Sequence, residues 1–424
     1  MGIFFLLVEL LSYAFATFLF IKKKELAIIY IPVLNFSNVI IDQVLPKFVY
    51  TAVVTGLIFY AIYKNQSFYR KNIFSIILVF YFLVLLTQSI GAPEIKWPHI
   101  FSVLWLFLII PLISAVYQKY TRDVIFKELT NAAFILLILF IANTLVSTKF
   151  KFSPNEMYHI TSGILYGNLY AAGFNSLAIA LFIVLLRIVN ERNIGYILVF
   201  VVSFLFVMLS LRRSVMGLSL FGVVVAAFAL VTQAKVKMLI FFGFIIVVMG
   251  VIFLNSSFMD QFQERVELRQ LDDRSLDEEK RFFEYDLLYT DMFVYKRYSP
   301  WFGFELFNSS GNYGGGVFAE RSLHGDIPSV AHSSGIIGVL LYISMVITAF
   351  GRAFRAAKTN FDKLVIGFGA LAYFTYTGTG RLTELSSLLL IILVISLPLC
   401  KEDIHDDHLL AEINSSETKD LVVS

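Results

Sequence analysis

The sequence predicts an all-α bundle of membrane-spanning helices, and two observations indicate it: the composition and the length of the apolar runs. Of the 424 residues, 58% are hydrophobic and only 15% are charged, and the mean hydropathy is +0.77. A soluble protein carries about 25% charged residues, so most of this surface must face something other than water. The composition therefore excludes a soluble enzyme, a disordered chain and a nucleic-acid-binding protein.

The apolar runs are interpreted as spans because about 20 helical residues cross the ~30 Å hydrocarbon core of a bilayer. We predict about thirteen spans, within a range of about 12 to 14. They cover residues 3–21, 25–41, 47–63, 72–90, 99–117, 129–147, 168–189, 193–211, 214–232, 236–254, 328–350, 363–380 and 382–399. The run 25–41 is the weakest, because Pro32, Asn35 and Asn38 interrupt it.

The basic residues between the runs predict the orientation of the chain. They fall on alternate connections, and cytoplasmic loops are the ones rich in Lys and Arg. These residues are Lys22–Lys24, Lys64, Arg70, Lys71, Lys119, Arg122, Lys127, Arg187, Arg192, Lys235, Lys237, Arg352, Arg355, Lys358 and Lys363. The pattern predicts ten spans in 1–254 with the N-terminus outside, an external segment at 255–327, three spans in 328–399 and a cytoplasmic tail at 400–424.

The external segment is the one part of the chain large enough to form a small domain. Its first half, FQERVELRQLDDRSLDEEKRFFEYDLLYTDMFVYKRY, predicts one or two amphipathic helices lying on the mouth of the bundle. The apolar residues at helical spacing are Phe282, Leu287, Leu288, Met292 and Tyr295. Its second half, SPWFGFELFNSSGNYGGG, is rich in glycine and predicts a mobile loop.

Arg212 and Arg213 interrupt two apolar runs in LSLRRSVMG, on the side where basic residues are otherwise sparse. An arginine near the membrane is energetically costly and needs a reason. One interpretation is that both side chains snorkel to the outer headgroups. The other is an anion site, because a guanidinium group matches phosphate oxygens and stays charged. Since successive helical residues point ~100° apart, we expect one of the two to face the bundle interior.

Two more arginines on the external side are candidates for the same anion site. Arg381, in GTGRLTE, is either a snorkelling cap or a contributor to the phosphate patch. Arg281 follows Lys280 at the start of an amphipathic stretch, where charged residues usually form a solvated face. Composition alone does not separate the two interpretations at either position.

His324 and His332 close the external segment in RSLHGDIPSVAHSSGIIGVLLY. Pro328 suits a first helical turn, so we expect His324 just before the next span and His332 just inside it. On a helix the two histidines lie ~80° apart, so both are able to face one cavity. An imidazole is suited to remove a proton from a sugar hydroxyl at neutral pH. The alternative for His332 is a hydrogen bond at a helix interface.

Metal and cofactor chemistry have little support in the sequence. His324, Asp326 and His332 offer three possible ligands, but their spacing is not diagnostic of a metal site. The single cysteine, Cys400, excludes an intramolecular disulfide and a CxxC motif. We therefore expect neither a metal nor a cofactor.

Three stretches of the chain resemble the bacterial O-antigen polymerases, which belong to a broader group with O-antigen ligases and other lipid-linked polysaccharide polymerases. LSLRRSVMG is similar to the Leu-Ser-x-Ser-Arg-Ser pattern of that group. KRFFEYDLLYTDMFVYKRYSPWFGFELF resembles the loop segment in which an Arg begins a helix and Pro-x-x-Gly-x-Gly follows. HGDIPSVAHSSGIIG resembles the stretch with His-Asn-x-x-Leu and a later Gly-x-x-Gly. The chain is also similar to the group in its number of spans and its large late external loop.

The resemblance implies roles for individual charged residues. It implies that Arg213 holds the pyrophosphate of a lipid-linked glycan, while Arg212 stands where a small polar residue is usual. Arg281 takes the position of the loop arginine. His324 takes the position of the family histidine, which leaves His332 as an additional one.

The same resemblance accounts for several glycines. Pro300 and Gly303 match the loop pattern, Gly335 follows the family histidine at the spacing of the pattern, and Gly338 closes it. The positions that depart from the patterns are Glu305, Gly325 and Pro328.

The residues and the resemblance together predict an enzyme that polymerises undecaprenyl-pyrophosphate-linked repeat units into O-antigen or a related surface polysaccharide. The predicted location is the bacterial inner membrane, with the large loop in the periplasm and the reaction at the outer leaflet. Arginines would stabilise the departing pyrophosphate in place of a metal. His324 would act as general base on the acceptor hydroxyl, and direct attack would invert the anomeric carbon. The expected partners are lipid-linked glycan as donor and acceptor, membrane lipids and a chain-length regulator.

Three alternatives remain open at the level of sequence. A ligase would use the same donor and deliver the glycan to lipid A core. A lipid-linked oligosaccharide flippase fits the number of spans, but such a transporter favours internal repeats and polar residues in the interiors of its spans. A non-catalytic membrane scaffold gives no reason for Arg212 and Arg213 on the outer side.

Overall fold

The protein folds into a bundle of α-helices, and the structure is a computed structural model. It describes residues 2–40, 45–89, 97–152, 165–167, 171–191, 193–210, 212–232, 243, 280–317, 322–323, 325–379 and 385–402. The α-helices are α1 (Gly2–Phe18), α2 (Ile31–Ile40), α3 (Lys47–Lys64), α4 (Ile73–Ser89), α5 (Trp97–Tyr117), α6 (Arg122–Lys149), α7 (Ala171–Asn190), α8 (Ile194–Leu209), α9 (Arg213–Thr232), α10 (Lys280–Tyr289), α11 (Asp326–Ala356), α12 (Asn360–Thr379) and α13 (Leu385–Ile395). No β-strand occurs in these ranges.

The helices follow the predicted apolar runs, and the all-α class is confirmed for the described residues. The run 236–254 lies outside them apart from Gly243. Within the described residues, five stretches are long and apolar enough to cross a membrane: Gly2–Ile40, Trp97–Tyr117, Arg122–Lys149, Gly173–Asn190 and Asp326–Ala356. Several other apolar helices are shorter, so the number of about thirteen crossings stays a prediction.

The doubtful second run is helical, but only its last part is α-helix. A π-helix (Leu19–Lys23) ends α1, and a 3-10 helix (Lys24–Tyr30) leads into α2. Because a 3-10 helix rises about 2.0 Å per residue, this helix and α2 together extend about 29 Å. Asn35, which weakened the apolar pattern, donates to Ser386 Oγ at 2.6 Å and accepts from the Tyr50 hydroxyl at 2.9 Å.

The basic connections gather at one end of the bundle, which we call the basic end. Three ion pairs join helix ends there: Lys23–Glu128 at 2.6 Å, Lys119–Glu25 at 3.1 Å and Arg122–Asp362 at 2.6 Å. The backbone amide of Lys401 also donates to Tyr120 O at 2.9 Å, which brings the residues after α13 to the same end. Among the described basic residues, Lys23, Lys119 and Arg122 thus lie at one end, as the parity pattern predicts, while Arg192, Lys235 and Lys237 lie outside the described part of the chain. That this end faces the cytoplasm stays a prediction.

The centre of the bundle is formed by α7, α9, α12 and α13, whose facing side chains are apolar. The rings of Phe182 and Phe368 stack with their centroids 3.8 Å apart. A Cβ atom at Gly222 would lie 3.3 Å from Phe368 and 3.4 Å from Phe182, so glycine lets α9 approach this stacked pair. Most residues of α13 are buried from Leu385 onwards. The helices that connect the two ends of the bundle thus pack against each other through apolar side chains.

We expect the Lys23–Glu128 pair to contribute strongly to stability, because Glu128 is buried and also accepts from the buried Tyr30 hydroxyl at 2.5 Å. Substituting Glu128→Ala should cost about 3 kcal/mol and lower the thermal unfolding temperature of the detergent-solubilised protein. The matched control is Glu402→Ala, whose partner Lys358 is exposed, with an expected cost below about 0.5 kcal/mol. Equal shifts for both variants would contradict this assignment.

Candidate functional site

Arg212 and Arg213 lie at the start of α9 and face different surroundings. Arg213 is the first residue of the helix and is exposed. Arg212 is half-buried, and its guanidinium carbon lies 4.7 Å from the ring centroid of Phe174, within the range of a cation–π contact. One arginine therefore packs against the bundle while its neighbour is exposed; because Arg212 precedes the first residue of α9, the angle between adjacent helical residues does not account for this difference.

Contacts along α7 place these arginines at the end opposite the basic end. Phe174, beneath Arg212, lies in the first turn of α7. Arg187, in the last turn of α7, lies over the ring of Phe126. Phe126 belongs to the first turns of α6, whose first residue, Arg122, takes part in the ion pairs of the basic end. Since α7 crosses the bundle between these contacts, Arg212 and Arg213 lie at the far end.

The start of α11 lies at this same far end. Helix α12 begins near Asp362 at the basic end and runs across the bundle to Thr377. A Cβ atom at Gly325, the residue before α11, would lie 3.6 Å from Thr377 O. The structure thus brings the LSLRRSVMG stretch and the start of α11 to one end of the molecule.

The loop at 299–304 is inserted into a break in α11. At Gly335 the backbone leaves the helical conformation, with φ 65° and ψ −168°. Such a break leaves backbone N–H and C=O groups without their helical partners, and burying them unpaired is costly. The loop replaces those partners through three hydrogen bonds: Phe304 N to His332 O (2.7 Å), Ile336 N to Pro300 O (2.9 Å) and Ile337 N to Trp301 O (3.4 Å).

Glycines on both sides make this close approach possible. Gly303 has φ 75°, and a Cβ atom there would lie 2.5 Å from His332 O and 2.6 Å from Ser334 N. A Cβ atom at Gly335 would collide with the backbone of Trp301. The φ values also belong to the left-handed region that favours glycine. Two glycines that carry the family resemblance therefore form one backbone contact.

The glycine-rich part of the loop is tied back to the loop helix through Asp291. This buried carboxylate accepts from Gly314 N at 2.6 Å and pairs with Arg297 at 3.3 Å. Burial and the nearby Asp291 charge raise the pKa of the Tyr298 hydroxyl. Residues 299–316 contain no α-helix, and Gly314–Gly316 forms one 3-10 turn. The mobility of the loop stays a prediction.

His332 is a packing residue of this loop. Its side chain is fully buried, and Nε2 lies 3.3 Å from Asn312 O. The imidazole ring lies edge-on to Tyr298 and Phe304, at centroid distances of 5.1 and 5.7 Å. Of the two interpretations of His332, these contacts favour the hydrogen bond at a structural interface.

The other predicted site residues are described less completely. Arg281 lies in the first turn of α10, but its side chain is outside the described part of the chain. His324 and Arg381 lie outside the described residues altogether. No group of three or more His, Cys, Asp or Glu side chains is placed to hold a metal ion in the part of the chain that the structure describes. The ligand set with His324 therefore stays untested.

Two buried acids lie near the predicted site: Asp326, which the sequence offered only as a possible metal ligand, and Glu284, which the sequence reasoning missed. Glu284 lies one turn after Arg281 on α10, and Asp326 is the first residue of α11; both are fully buried. Burial, with the Asp326 and Glu284 charges, raises the pKa of Tyr285, so these groups share one region. The i, i+3 spacing of Arg281 and Glu284 was the sequence signal that would have found Glu284.

A small polar recess lies beside Arg212. Asn143, Thr144 and Ser210 line it together with Phe174, the ring that Arg212 covers. It holds about 10 Å³ of free space, about the room for one water molecule. The Asn143 amide nitrogen is buried without a hydrogen-bond partner among the described residues. An asparagine inside the apolar run 129–147 was the available sequence signal for this recess.

No protein-family model matches this chain, and no curated protein sequence matches it either. The resemblance to O-antigen polymerases therefore depends on the three stretches quoted above. The fold adds an independent relation between two of them, because the loop stretch and the α11 stretch hydrogen-bond to each other through their backbones.

The glycine contact gives a direct test of the inserted loop. In Gly303→Ala, the added Cβ atom should destabilise the closed loop by about 3 kcal/mol relative to the open loop. The equilibrium constant for loop opening should therefore rise about 100-fold. Trypsin cleavage after Lys296, quantified by mass spectrometry on the detergent-solubilised protein, should accelerate accordingly.

The matched control for this measurement is Gly316→Ala. Gly316 also has a positive φ, 78°, but a Cβ atom there meets nothing within 4 Å. The control should therefore carry only the backbone penalty of about 1 kcal/mol, and acceleration should stay below about tenfold. If both variants are cleaved at the same rate, the collision at Gly303 is not what holds the loop.

Proposed function

We propose that this protein is a glycosyltransferase that polymerises undecaprenyl-pyrophosphate-linked repeat units into O-antigen or a related surface polysaccharide. The observation that carries the proposal is the insertion of the loop at 299–304 into the break of α11. Through this contact the segment after Arg281 and the helix after His324 form one unit. That unit stands at the end of the bundle where Arg212 and Arg213 also lie.

In this proposal the arginines bind the pyrophosphate of the donor. Negative charge develops on the pyrophosphate as its bond to the sugar breaks, and pre-placed guanidinium groups lower that barrier. Arg213, which is exposed at the helix start, and Arg281 are the main ligands. Arg212, held over Phe174, adds positive charge at the same end, and Arg381 is a fourth proposed ligand. No metal or nucleotide is needed, because the pyrophosphate linkage is already activated.

His324 is the proposed general base, and a positioned general base accelerates a reaction by about 10²–10⁴-fold. It takes the proton from the acceptor hydroxyl, whose oxygen attacks the anomeric carbon while the bond to the phosphate oxygen breaks. The products are a glycan longer by the transferred chain, with inverted configuration, and free undecaprenyl pyrophosphate. The burial of His332 supports this assignment, because a fully enclosed ring is not placed to reach an acceptor sugar.

The proposed setting is the outer leaflet of a bacterial inner membrane, with the far end of the bundle in the periplasm. The polyprenyl chain of the donor lies against the apolar helices, and the acceptor is the non-reducing end of another lipid-linked unit. The glycine-rich stretch 309–316 and α10 provide a cover over the reacting groups. A chain-length regulator is a further partner in this proposal.

The first test uses purified protein in detergent, synthetic undecaprenyl-pyrophosphate repeat units as sole substrate, and a metal chelator. The wild type should extend the lipid-linked glycan into a ladder, and Arg213→Ala should reduce its rate by at least about 100-fold. The matched control is Arg355→Ala, another exposed arginine, near the other end of α11, which should retain the wild-type rate.

Two outcomes of this assay would contradict polymerisation. Transfer that occurs only after lipid A core is added would favour a ligase. Inactivity with both acceptors, together with movement of the substrate between proteoliposome leaflets, would favour a flippase.

The two histidines should separate into a catalytic and a structural residue. His324→Ala should abolish ladder formation with little change in thermal unfolding temperature. His332→Ala should lower the free energy of unfolding by about 2 kcal/mol through lost packing, and the unfolding temperature should fall with it. Turnover measured well below the unfolding transition should be kept. The reverse split would assign the catalytic role to His332.

A further inference from the structure

The loop helix α10 and its π-helical extension (Thr290–Val294) carry large aromatic rings on their exposed face. Their buried face carries two carboxylates and two apolar side chains: Glu284, Leu288, Asp291 and Met292. Their exposed face carries a row of aromatic rings at i, i+4 and i+8: Tyr285, Tyr289 and Phe293. The rings of Tyr289 and Phe293 lie 5.1 Å apart. The carboxylate of Asp286 is also exposed on this side, whereas Glu284 and Asp291 are buried.

The aromatic row continues into the segment that follows. Tyr295 is 63% exposed, and Val294 beside it is 60% exposed. The sequence pattern assigned Tyr295 to the face that packs on the bundle, together with Leu288 and Met292. The structure corrects that assignment, because the π-helical turn after Tyr289 rotates Tyr295 outward.

A second group of exposed rings stands where the loop enters α11. Trp301 is 59% exposed and Phe302 is 53% exposed, although the backbone of this pair is fixed to the helix break. Along α11 from that break, exposed apolar residues follow at helical spacing: Leu340, Ile343 and Ile347. The loop rings therefore stand at the outer end of an apolar stripe that belongs to a candidate membrane span.

We propose that this aromatic surface lies in the boundary between headgroups and acyl chains of the lipid bilayer. The aromatic surface consists of Tyr285, Tyr289, Phe293, Tyr295, Trp301 and Phe302. Tyr and Trp favour that boundary, because one part of the side chain is apolar and another is polar. The adjacent Lys296 and Arg297 are exposed, and basic side chains at the depth of the lipid headgroups attract lipid phosphates.

Two observations favour lipid over glycan as the occupant. The exposed aliphatic side chains of Val294 and Val317 accompany the rings, and aliphatic groups gain more from acyl chains than from sugar hydroxyls. The Trp301 carbonyl also accepts from Ile337 N, so this part of the surface adjoins the apolar stripe of α11, whereas a glycan would require a platform set apart from that stripe. The inference does not depend on the proposed glycosyl transfer.

Fluorescence quenching in proteoliposomes tests this placement. The protein has three tryptophans, so Trp97→Phe with Trp105→Phe leaves Trp301 as the single emitter. Phosphatidylcholine brominated near the headgroup end of its acyl chains should reduce Trp301 emission about twofold, because the boundary lies about 5–10 Å from the acyl-chain bromines. Aqueous iodide should have little effect.

A second emitter checks the helix itself. Tyr289→Trp in a background where all three native tryptophans are phenylalanine should respond in the same way as Trp301. The matched control is Asn312→Trp, an exposed position on the same loop but off the aromatic surface, which iodide should quench and brominated lipid should not. If iodide quenches Trp301 and position 289 as strongly as position 312, the surface faces water and stays open to glycan, and the proposal is overturned. Trp301 decides the matter even if the Tyr289→Trp chain does not fold.

Discussion

The far end of this bundle depends on one constraint: backbone groups freed by a break in a helix must find partners where water is scarce. The break at Gly335 removes hydrogen bonds that α11 would otherwise make within itself. In an apolar environment each unpaired group costs several kcal/mol, so such a break is tolerated only where other protein groups replace the lost partners. The loop at 299–304 supplies them through its own backbone. The loop and the helix are therefore each incomplete without the other.

The packing around this contact follows from it. Gly303 and Gly335 are required because the two backbones approach more closely than any Cβ atom allows. His332 is enclosed because it sits in the last turn before the break, under Phe304. Asp291 then holds the glycine-rich stretch against α10 by accepting from Gly314 N. At the basic end, ion pairs between helix ends act together with the backbone hydrogen bond from Lys401 N to Tyr120 O.

Exposure has a different meaning in a chain with helices that are able to cross a membrane. Large apolar side chains are exposed on the outside of α4, α11 and α12, among them Phe80, Ile347 and Phe374, and α11 is long and apolar enough to cross a membrane. On α10 the rings of Tyr285 and Tyr289 are exposed beside Asp286, while the Glu284 carboxylate is buried. Sequence periodicity predicted that α10 is amphipathic and that Leu288 and Met292 lie on its packed face. Periodicity did not reveal the exposed aromatic face, because the spacing of residues does not show which part of the fold each face of a helix contacts.

The sequence by itself determined the all-α class, the positions of the apolar helices and the gathering of basic connections, because these follow from local composition and from the helical period. It also singled out Gly303, Gly335 and the arginines of LSLRRSVMG. Only the tertiary structure decided that the two glycines meet, that Arg212 packs on Phe174 while Arg213 is exposed, and that His332 is enclosed. Those outcomes depend on which residues distant in the chain become neighbours. Contacts of that kind are fixed by the packing of whole helices, which no local pattern encodes.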